Sequence, residues 1–240
     1  MIVENKLTPL TREEAARALT AAYQQLTGAR PPPGVLALLL AQSALETGNW
    51  QKIHNFNFGN AKAATDYPLI VQFHCSEVDE HGVEHFFDPP DPHCNFRAYN
   101  DAASGALDYL KVLHRRPTWW QGLHTQDPSR FVDALATPPK YFTAAPAKYK
   151  GTVTALFQAF RPLAVATLAE PPVQRPPIAP PAPVVEPPSS SPSPPSGSSG
   201  PASEASGAAK PTLEESLGWL RTILVFIRWL IAFFRGGNPG

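Results

Sequence analysis

A proline-rich stretch near the C-terminal end limits how much of this chain can fold into a globular domain. The sequence has 29 prolines in 240 residues, and many of them lie between Pro162 and Pro211 among Ala, Ser and Gly. Such a stretch has too few bulky apolar side chains to offset the entropy lost on ordering it. We therefore predict a globular domain over residues 1–161, a disordered linker over 162–210 and a distinct C-terminal segment over 211–240. An extended linker of this kind, at about 3.1 Å per residue, reaches on the order of 100 Å.

The charge balance and the N-terminal residues exclude two broad classes of protein. The sequence has 20 Lys and Arg residues against 20 Asp and Glu residues, so its net charge is zero. Neutralising nucleic-acid phosphates requires a basic excess, so we expect no nucleic-acid partner. The N-terminal residues contain no basic segment followed by an apolar run, so we expect no secretory signal peptide at this end.

The hydrophobic pattern of the first 161 residues predicts an α+β fold that is mostly α. Thr11 and Glu14 form a capping box before a helix that ends near Gly28, and the apolar run from Val35 to Glu46 is typical of a buried helix. β-favouring residues from 67 to 96, with a turn at 81–82, predict a small β-hairpin lobe. Further helices are predicted over 101–113, 128–135 and 147–160, with Pro117 and Pro138-Pro139 as interruptions between them.

The C-terminal segment is predicted to contact a lipid bilayer through residues 213–235. Arg221, Arg228 and Arg235 are seven residues apart, which places them on one face of a helix whose other positions are mostly large and apolar. The helix is about long enough to span a bilayer, but Arg228 near its centre costs about 2.5 to 3.5 kcal/mol. A helix that lies flat in the headgroups, with its arginines toward water, fits the same pattern. A soluble coiled coil is the third alternative, and it would leave aromatic surface exposed.

Glu46 is the first candidate for a catalytic residue. It follows the apolar run at the C-terminal end of its helix, where burial and the negative end of the helix dipole both disfavour a charged carboxylate. A glutamate that stays protonated near neutral pH suits a glycosidase, whose general acid must donate a proton. Considered alone, a glutamate at a helix end is more often a solvated surface residue.

Histidines and cysteines are concentrated in the predicted β-lobe. The pairs His74-Cys75 and His93-Cys94 lie on either side of it, with His81 and His85 between them. Zinc accepts such ligands, but adjacent residues on a strand point to opposite faces, so neither pair easily binds one ion. We expect no metal and no cofactor. For the cysteines the sequence allows two alternatives, a disulfide between Cys75 and Cys94 or two unpaired thiols.

Five segments of the chain resemble the glucosaminidase domains of glycoside hydrolase family 73. The first two run from Ala41 to Gly48 (Ala-Gln-Ser-Ala-Leu-Glu-Thr-Gly) and from Asn55 to Ala63 (Asn-Phe-Asn-Phe-Gly-Asn-Ala-Lys-Ala). The others are Phe96–Tyr99, Asp108–Leu113 and Tyr141–Tyr149, in the order that the family shows. Together they extend over about residues 8 to 160. The chain departs from the family pattern where Asn49 follows Gly48, where Ala145 precedes Pro146, and by one inserted residue before Lys62.

The resemblance implies a lysozyme-like domain that cleaves the β-1,4 glycan strand of peptidoglycan. It assigns Glu46 as the general acid, Glu77 as a second carboxylate acting as base or stabiliser, and Tyr141 as a tyrosine of the cleft. It places Asn57 and Phe58 in the loop that borders the cleft. Substrate contacts are also predicted for Trp50 and Tyr149. Any single acidic residue of the hairpin, Glu77 included, is equally well explained as a solvated charge.

The expected function is therefore peptidoglycan hydrolysis of the endo-β-N-acetylglucosaminidase type, by an endolysin-like enzyme at a membrane, such as a phage lysis enzyme. A muramidase or a lytic transglycosylase on the same fold is one alternative. Another is a membrane-permeabilising protein whose N-terminal domain only binds the wall. The site of action is expected to be the cell wall, in the periplasm or at a host envelope.

Overall fold

The computed structural model describes residues 1–64, 66–78, 83–142 and 145–171, apart from the side chains of 77 and 78. Six α-helices lie within these residues: α1 Arg12–Thr27, α2 Pro33–Thr47, α3 Ala102–His114, α4 Pro117–His124, α5 Pro128–Leu135 and α6 Pro146–Ala169. Most of the predicted linker and the whole predicted membrane helix over 213–235 lie outside the described residues. The predicted α+β fold, mostly α with a small β-lobe, is confirmed.

Helix α2 is the centre of the hydrophobic core. Its residues Val35 to Ala41 are all completely buried, because apolar side chains cover almost every face of the helix. Helices α1, α4 and α6 pack around it. Pro33 occupies the first turn, where a missing N–H costs nothing, and Gly48 ends the helix in the left-handed conformation with φ of 58°.

Helix α1 forms where the sequence predicts it. The side chain of Thr11 accepts a hydrogen bond from the backbone N–H of Glu14, and the Glu14 carboxylate accepts one from the backbone N–H of Thr11. Gly28 ends the helix in the left-handed conformation, with φ of 80°. The buried face of α1 packs against α3 and α2.

The β-lobe consists of two small sheets. In the first, β2 (Ile70–Gln72) pairs parallel with β1 (Ile2–Val3) and antiparallel with β5 (Asn95–Arg97). In the second, β3 (Cys75–Val78) pairs antiparallel with β4 (Glu84–Phe87), which confirms the predicted hairpin. The predicted turn at 81–82 lies outside the described residues. A 3-10 turn, Pro92–Cys94, leads into β5.

Two helices differ from the sequence-based expectation, and proline is involved in both. Pro117 was predicted only to interrupt the chain, whereas it occupies the first turn of α4. Helix α6 was predicted to end at Phe160 but continues through Pro162 to Ala169. The Arg30 guanidinium donates hydrogen bonds to the carbonyls of Thr167 and Glu170, at 3.1 and 2.9 Å, so tertiary contacts stabilise the extra turns.

Helix α6 is also the one helix among residues 1–64, 66–78, 83–142 and 145–171 that is long and apolar enough to cross a membrane. It packs along α2, and its inner side chains are part of the core: Tyr149, Val153, Leu156, Phe157 and Phe160. These contacts explain its apolar composition as that of a core helix.

Candidate active site

Glu46 lies in the last turn of α2, at the surface of the core. The helix is buried from Val35 to Ala44, whereas the Glu46 side chain is partly exposed to solvent. Burial raises its pKa from 4.5 to about 7, against the opposing effect of hydrogen bonds from Tyr149 and Gln42. The carboxyl group therefore retains its proton up to nearly neutral pH, as the sequence analysis expected of a general acid.

Tyr149, on the first turn of α6, is the hydrogen-bond partner of Glu46. Its hydroxyl donates to Oε1 of Glu46 over 2.8 Å. The Tyr149 ring is almost fully buried and stacks on Phe142, with centroids 3.9 Å apart and planes 7° from parallel. The stacking and the burial of the ring hold the Tyr149 hydroxyl in place beside Glu46.

Two further side chains extend this contact into a chain of hydrogen bonds through the core. Gln42, one turn before Glu46, donates from Nε2 to the Tyr149 hydroxyl over 3.4 Å. Tyr109, on α3, donates its hydroxyl hydrogen to Oε1 of Gln42. Gln42 is completely buried and Tyr109 almost so. Neither residue was predicted as a site residue, since each depends on a helix that is distant in sequence.

Tyr141 lies on the same side of the core, in the segment between α5 and α6. Its hydroxyl donates to the carbonyl oxygen of Gly59 over 2.9 Å, and its ring meets Trp119 edge-on at 5.4 Å. Burial raises its pKa above the ordinary tyrosine value, and the charge of Glu46 adds to this effect. The structure therefore brings Glu46, Tyr141 and Tyr149 together.

The loop after α2 borders the site and has an unusual backbone. Asn49, Trp50, Asn55, Phe56 and Asn60 all have positive φ, in the left-handed region that non-glycine residues seldom adopt. The N-terminal segment supports this loop. Asn55 donates to the carbonyl of Glu4 and accepts from the N–H of Lys6, both at 3.0 Å. Such strain persists only where surrounding contacts determine the backbone.

Three predicted substrate-binding residues turn out to support this loop from within. The Asn57 side chain donates to the carbonyls of Ala61 and Arg97 and accepts from the Ala61 N–H. Trp50 and Phe58 are completely buried, and the Trp50 indole donates to the Ser43 hydroxyl over 3.0 Å. The structure thus gives these three side chains a role in shaping the wall of the site.

The predicted second carboxylate, Glu77, lies on β3 directly opposite His85 of β4. Its side chain is outside the described part of the structure, so its separation from Glu46 stays a prediction. Other acidic candidates of the hairpin, Asp79 and Glu80, also lie outside the described residues.

An ion pair missed in the sequence analysis joins the β-lobe to the helices. Arg97 on β5 donates to Oδ2 of Asp108 on α3 over 2.6 Å, and the Tyr99 hydroxyl donates to the same oxygen over 2.7 Å. Both partners of the ion pair are less than one-fifth exposed. The one sequence feature that could have indicated this ion pair is the family resemblance, because its segments include Arg97, Tyr99 and Asp108.

The histidines and cysteines of the lobe do not assemble a metal site within the described residues, which contain no group of three or more suitable ligands. Cys75 and Cys94 are both free thiols. Burial raises the pKa of Cys94 to about 11, and the neighbouring Cys75 contributes to the shift. His74 and His93 pair instead with Asp88 and Asp91, at 2.6 and 2.7 Å.

The chain was also compared with known proteins. No family model matches it, and no curated protein matches it. A peptidoglycan hydrolase mutant from Sphingomonas sp. A1 is similar in structure, with 21% identity, coverage of 65% of this chain and 92% of that one, and a TM-score of 0.46. A C-terminally truncated glycoside hydrolase domain of Salmonella typhimurium FlgJ has 21% identity, coverage of 63% and 98%, and a TM-score of 0.43.

The catalytic domain of the autolysin Auto from Listeria monocytogenes is a third similar structure. It has 16% identity, coverage of 67% of this chain and 89% of that one, and a TM-score of 0.46. Identities and TM-scores this low do not establish a shared activity. The functional assignment therefore depends on the geometry around Glu46 and on the residues of the chain itself.

Proposed function

We propose that this chain is a glycoside hydrolase that cleaves the β-1,4 glycan strand of peptidoglycan, with Glu46 as the general acid. The observation that carries the proposal is the state of Glu46, a partly buried carboxyl group whose pKa is raised to about 7. General acids of glycosidases need a raised pKa so that they hold a proton at the working pH. The five segments that resemble family 73 support peptidoglycan as the substrate.

The hydrogen bond from Tyr149 defines how Glu46 would act. Because the Tyr149 hydroxyl donates to Oε1, that oxygen serves as an acceptor. The acidic proton then resides on Oε2, which transfers it to the glycosidic oxygen as the bond to the sugar breaks. The departing sugar leaves as a neutral alcohol, and Glu46 becomes a carboxylate stabilised by the Tyr149 hydroxyl.

The second catalytic group determines the stereochemical course. We propose Glu77 for this role because β3 is the hairpin strand in which the family resemblance assigns a carboxylate. A separation of about 5 Å from Glu46 would support a retaining displacement, and about 6.5–9.5 Å an inverting attack by water. A larger gap would favour attack by the acetamido group of the substrate. Proton NMR of the first anomer released separates inversion from the two retaining routes, and Glu77→Gln separates the retaining routes from each other.

The nature of the cleaved bond is tested by mass spectrometry of muropeptides released from purified peptidoglycan. Reducing-end GlcNAc is the expected product. Reducing-end MurNAc would identify a muramidase, and anhydro-MurNAc a lytic transglycosylase. Absence of any product from the wild-type chain would contradict the enzymatic function, and unchanged product from Glu46→Gln would contradict the role of Glu46.

We also propose that residues 213–235 position the enzyme at a lipid bilayer. The support is the sequence pattern of three arginines on one face of an otherwise apolar helix. A chain ending at residue 212 should lose co-sedimentation with anionic vesicles but still digest purified cell walls. Failure of both the full chain and the truncation to digest purified walls would favour the alternative, in which the terminal helix permeabilises membranes and the N-terminal domain only binds the wall.

A further inference from the structure

Gln42 is a polar side chain in the most apolar part of the molecule. It is completely buried, and the seven residues before it on α2 are also completely buried and apolar. An amide in such surroundings is unfavourable unless it forms hydrogen bonds. Gln42 has two partners, Tyr109 at its oxygen and Tyr149 at its nitrogen. Tyr149 in turn contacts Glu46, so the hydrogen bonds run from Tyr109 through Gln42 and Tyr149 to the proposed catalytic centre.

The two partners determine the orientation of the amide group. A tyrosine hydroxyl has one hydrogen to donate, and Tyr109 donates its hydrogen to Oε1 of Gln42. The Nε2 group of Gln42 must therefore face Tyr149, whose oxygen accepts its hydrogen bond at 3.4 Å. Since this contact occupies a lone pair of the Tyr149 oxygen, the single Tyr149 hydrogen is directed to Glu46.

We propose that Gln42 is a positioning residue for catalysis, which transmits the orientation set by Tyr109 to Tyr149 and so keeps Oε1 of Glu46 as an acceptor. The consequence is that the proton of Glu46 is confined to Oε2. This inference rests on the proposed role of Glu46 as a general acid and adds the group that orients it. Gln42 acts on the reaction only through Glu46, to which it also hydrogen-bonds, and through Tyr149.

Because the groups that face Glu46 do not ionise together with it, the midpoint of its titration reports on this chain of hydrogen bonds. They are Tyr149 from α6, Tyr109 from α3 and Tyr141 from the segment before α6, and burial raises the pKa of all three phenols. They stay neutral when Glu46 ionises. The charge of Arg97 also acts on this cluster and lowers the pKa of Tyr141. Hydrogen bonds from Gln42 and Tyr149 favour the ionised form of Glu46.

The test compares Gln42→Met with Ser43→Ala in the full chain. Methionine has nearly the length of glutamine and removes both hydrogen bonds. Ser43 is the next residue on the same helix, equally buried, and its hydroxyl bonds to Phe58 and Trp50 away from the chain of hydrogen bonds. Both variants lose buried hydrogen bonds, but only Gln42 belongs to the chain of hydrogen bonds that reaches Glu46. The Glu46 titration is followed by NMR with ¹³C-labelled glutamate and assigned from the signal missing in Glu46→Gln.

We expect Gln42→Met to move the Glu46 midpoint to higher pH and to lower kcat roughly three- to tenfold with little change in KM, the size of one lost hydrogen bond. Ser43→Ala should leave the midpoint at the wild-type pH. An unchanged midpoint in Gln42→Met, or an equal displacement in Ser43→Ala, would overturn the inference. Tyr109→Phe removes the orienting hydroxyl alone and leaves the direct contact of Gln42 with Glu46, so it should move the midpoint in the same direction. An unchanged midpoint in Tyr109→Phe would also overturn the inference. A wild-type chain that releases no glycan product contradicts the proposed function instead, and the NMR titration separates the two failures.

Discussion

The hydroxyl of Tyr149 lies 2.8 Å from Oε1 of Glu46, although the two residues are 103 positions apart in the chain. This contact joins the end of α2 to the beginning of α6, the two helices at the centre of the core. It supplies a hydrogen-bond donor to a carboxyl group in a buried position, in addition to the contact from Gln42.

Tyr149→Phe removes the donor and should raise the pKa of Glu46 further, because the hydrogen bond favours the ionised carboxylate. The alkaline limb of the activity profile should then shift to higher pH, and kcat should fall, because the Glu46 carboxylate formed in the reaction is less stabilised. The measurement is the pH dependence of the rate of glycan release. A shift of the limb to lower pH would mean that Glu46 donates to Tyr149 instead.

Glu46→Gln should stabilise the folded domain at alkaline pH. The folded-state pKa, raised from 4.5 to about 7, means that the folded state binds the proton more tightly than the unfolded chain. The contribution of Glu46 to the free energy of unfolding is therefore fully present below pH 4.5. It is lost as pH rises through about 7, by up to about 3 kcal/mol for a shift of this size. Glutamine cannot ionise and avoids the loss.

The corresponding measurement is urea unfolding of wild type and Glu46→Gln at pH 4 and at pH 8. The two proteins should have similar unfolding free energies at pH 4, and the variant should be the more stable at pH 8. Equal stability at both values would show that Glu46 has an ordinary pKa.

Gly59→Ala should disrupt the site through Tyr141. A Cβ at position 59 would lie 2.5 Å from the Tyr141 hydroxyl oxygen and 2.7 Å from Cδ2 of Tyr109. Both rings are packed, so we expect a loss of about 1–3 kcal/mol in stability and a lower rate of glycan release. The matched control is Gly151→Ala in α6, where a Cβ meets nothing within 4 Å. This control should gain about 0.5–1 kcal/mol.

Alkylation of the cysteines should be strongly unequal. Cys94 is completely buried and its pKa is raised to about 11, so almost none of it is the reactive thiolate at neutral pH. Cys75 is partly exposed and should react first with iodoacetamide in the native protein. Peptide mapping after brief labelling at pH 7.5 measures this order, and Cys75→Ser shows whether Cys94 is labelled without it. Faster labelling of Cys94 would contradict its burial.

Elements whose determinants are local in the sequence form where they are predicted. The capping box of Thr11 and Glu14, the apolar run of α2 and the glycine at its end all predict their elements correctly, because each is decided within one or two helical turns. Pro117 and Pro162 were predicted only to interrupt the helical pattern, and both of these predictions were wrong. A proline breaks a helix or begins one according to its position, and Pro162 lies within α6 because contacts such as those of Arg30 stabilise the turns beyond it.

The site residues were predicted only in part, because several of them depend on contacts between parts of the chain that are distant in sequence. Glu46 can be identified from the local sequence, because the apolar run before it and the glycine after it indicate its burial and its position at the helix end. The roles of Gln42 and Tyr109 depend on a contact between residues 67 positions apart, which no local pattern encodes. Trp50 and Phe58 show the opposite case. Phe58 lies in a segment that resembles the loop bordering the cleft, and Trp50 lies just before that segment, but close packing places both aromatic side chains inside the core.

The central claim is that Glu46 donates the proton when a glycan strand is cut, and the rate of reducing-end release from purified peptidoglycan tests it most directly. The wild-type rate should decline as pH rises through about 7, where Glu46 loses its proton. Glu46→Gln should release reducing ends at least about 100-fold more slowly, the usual contribution of a general acid, while its melting temperature is maintained. A folded Glu46→Gln variant that releases reducing ends at the wild-type rate would contradict the account.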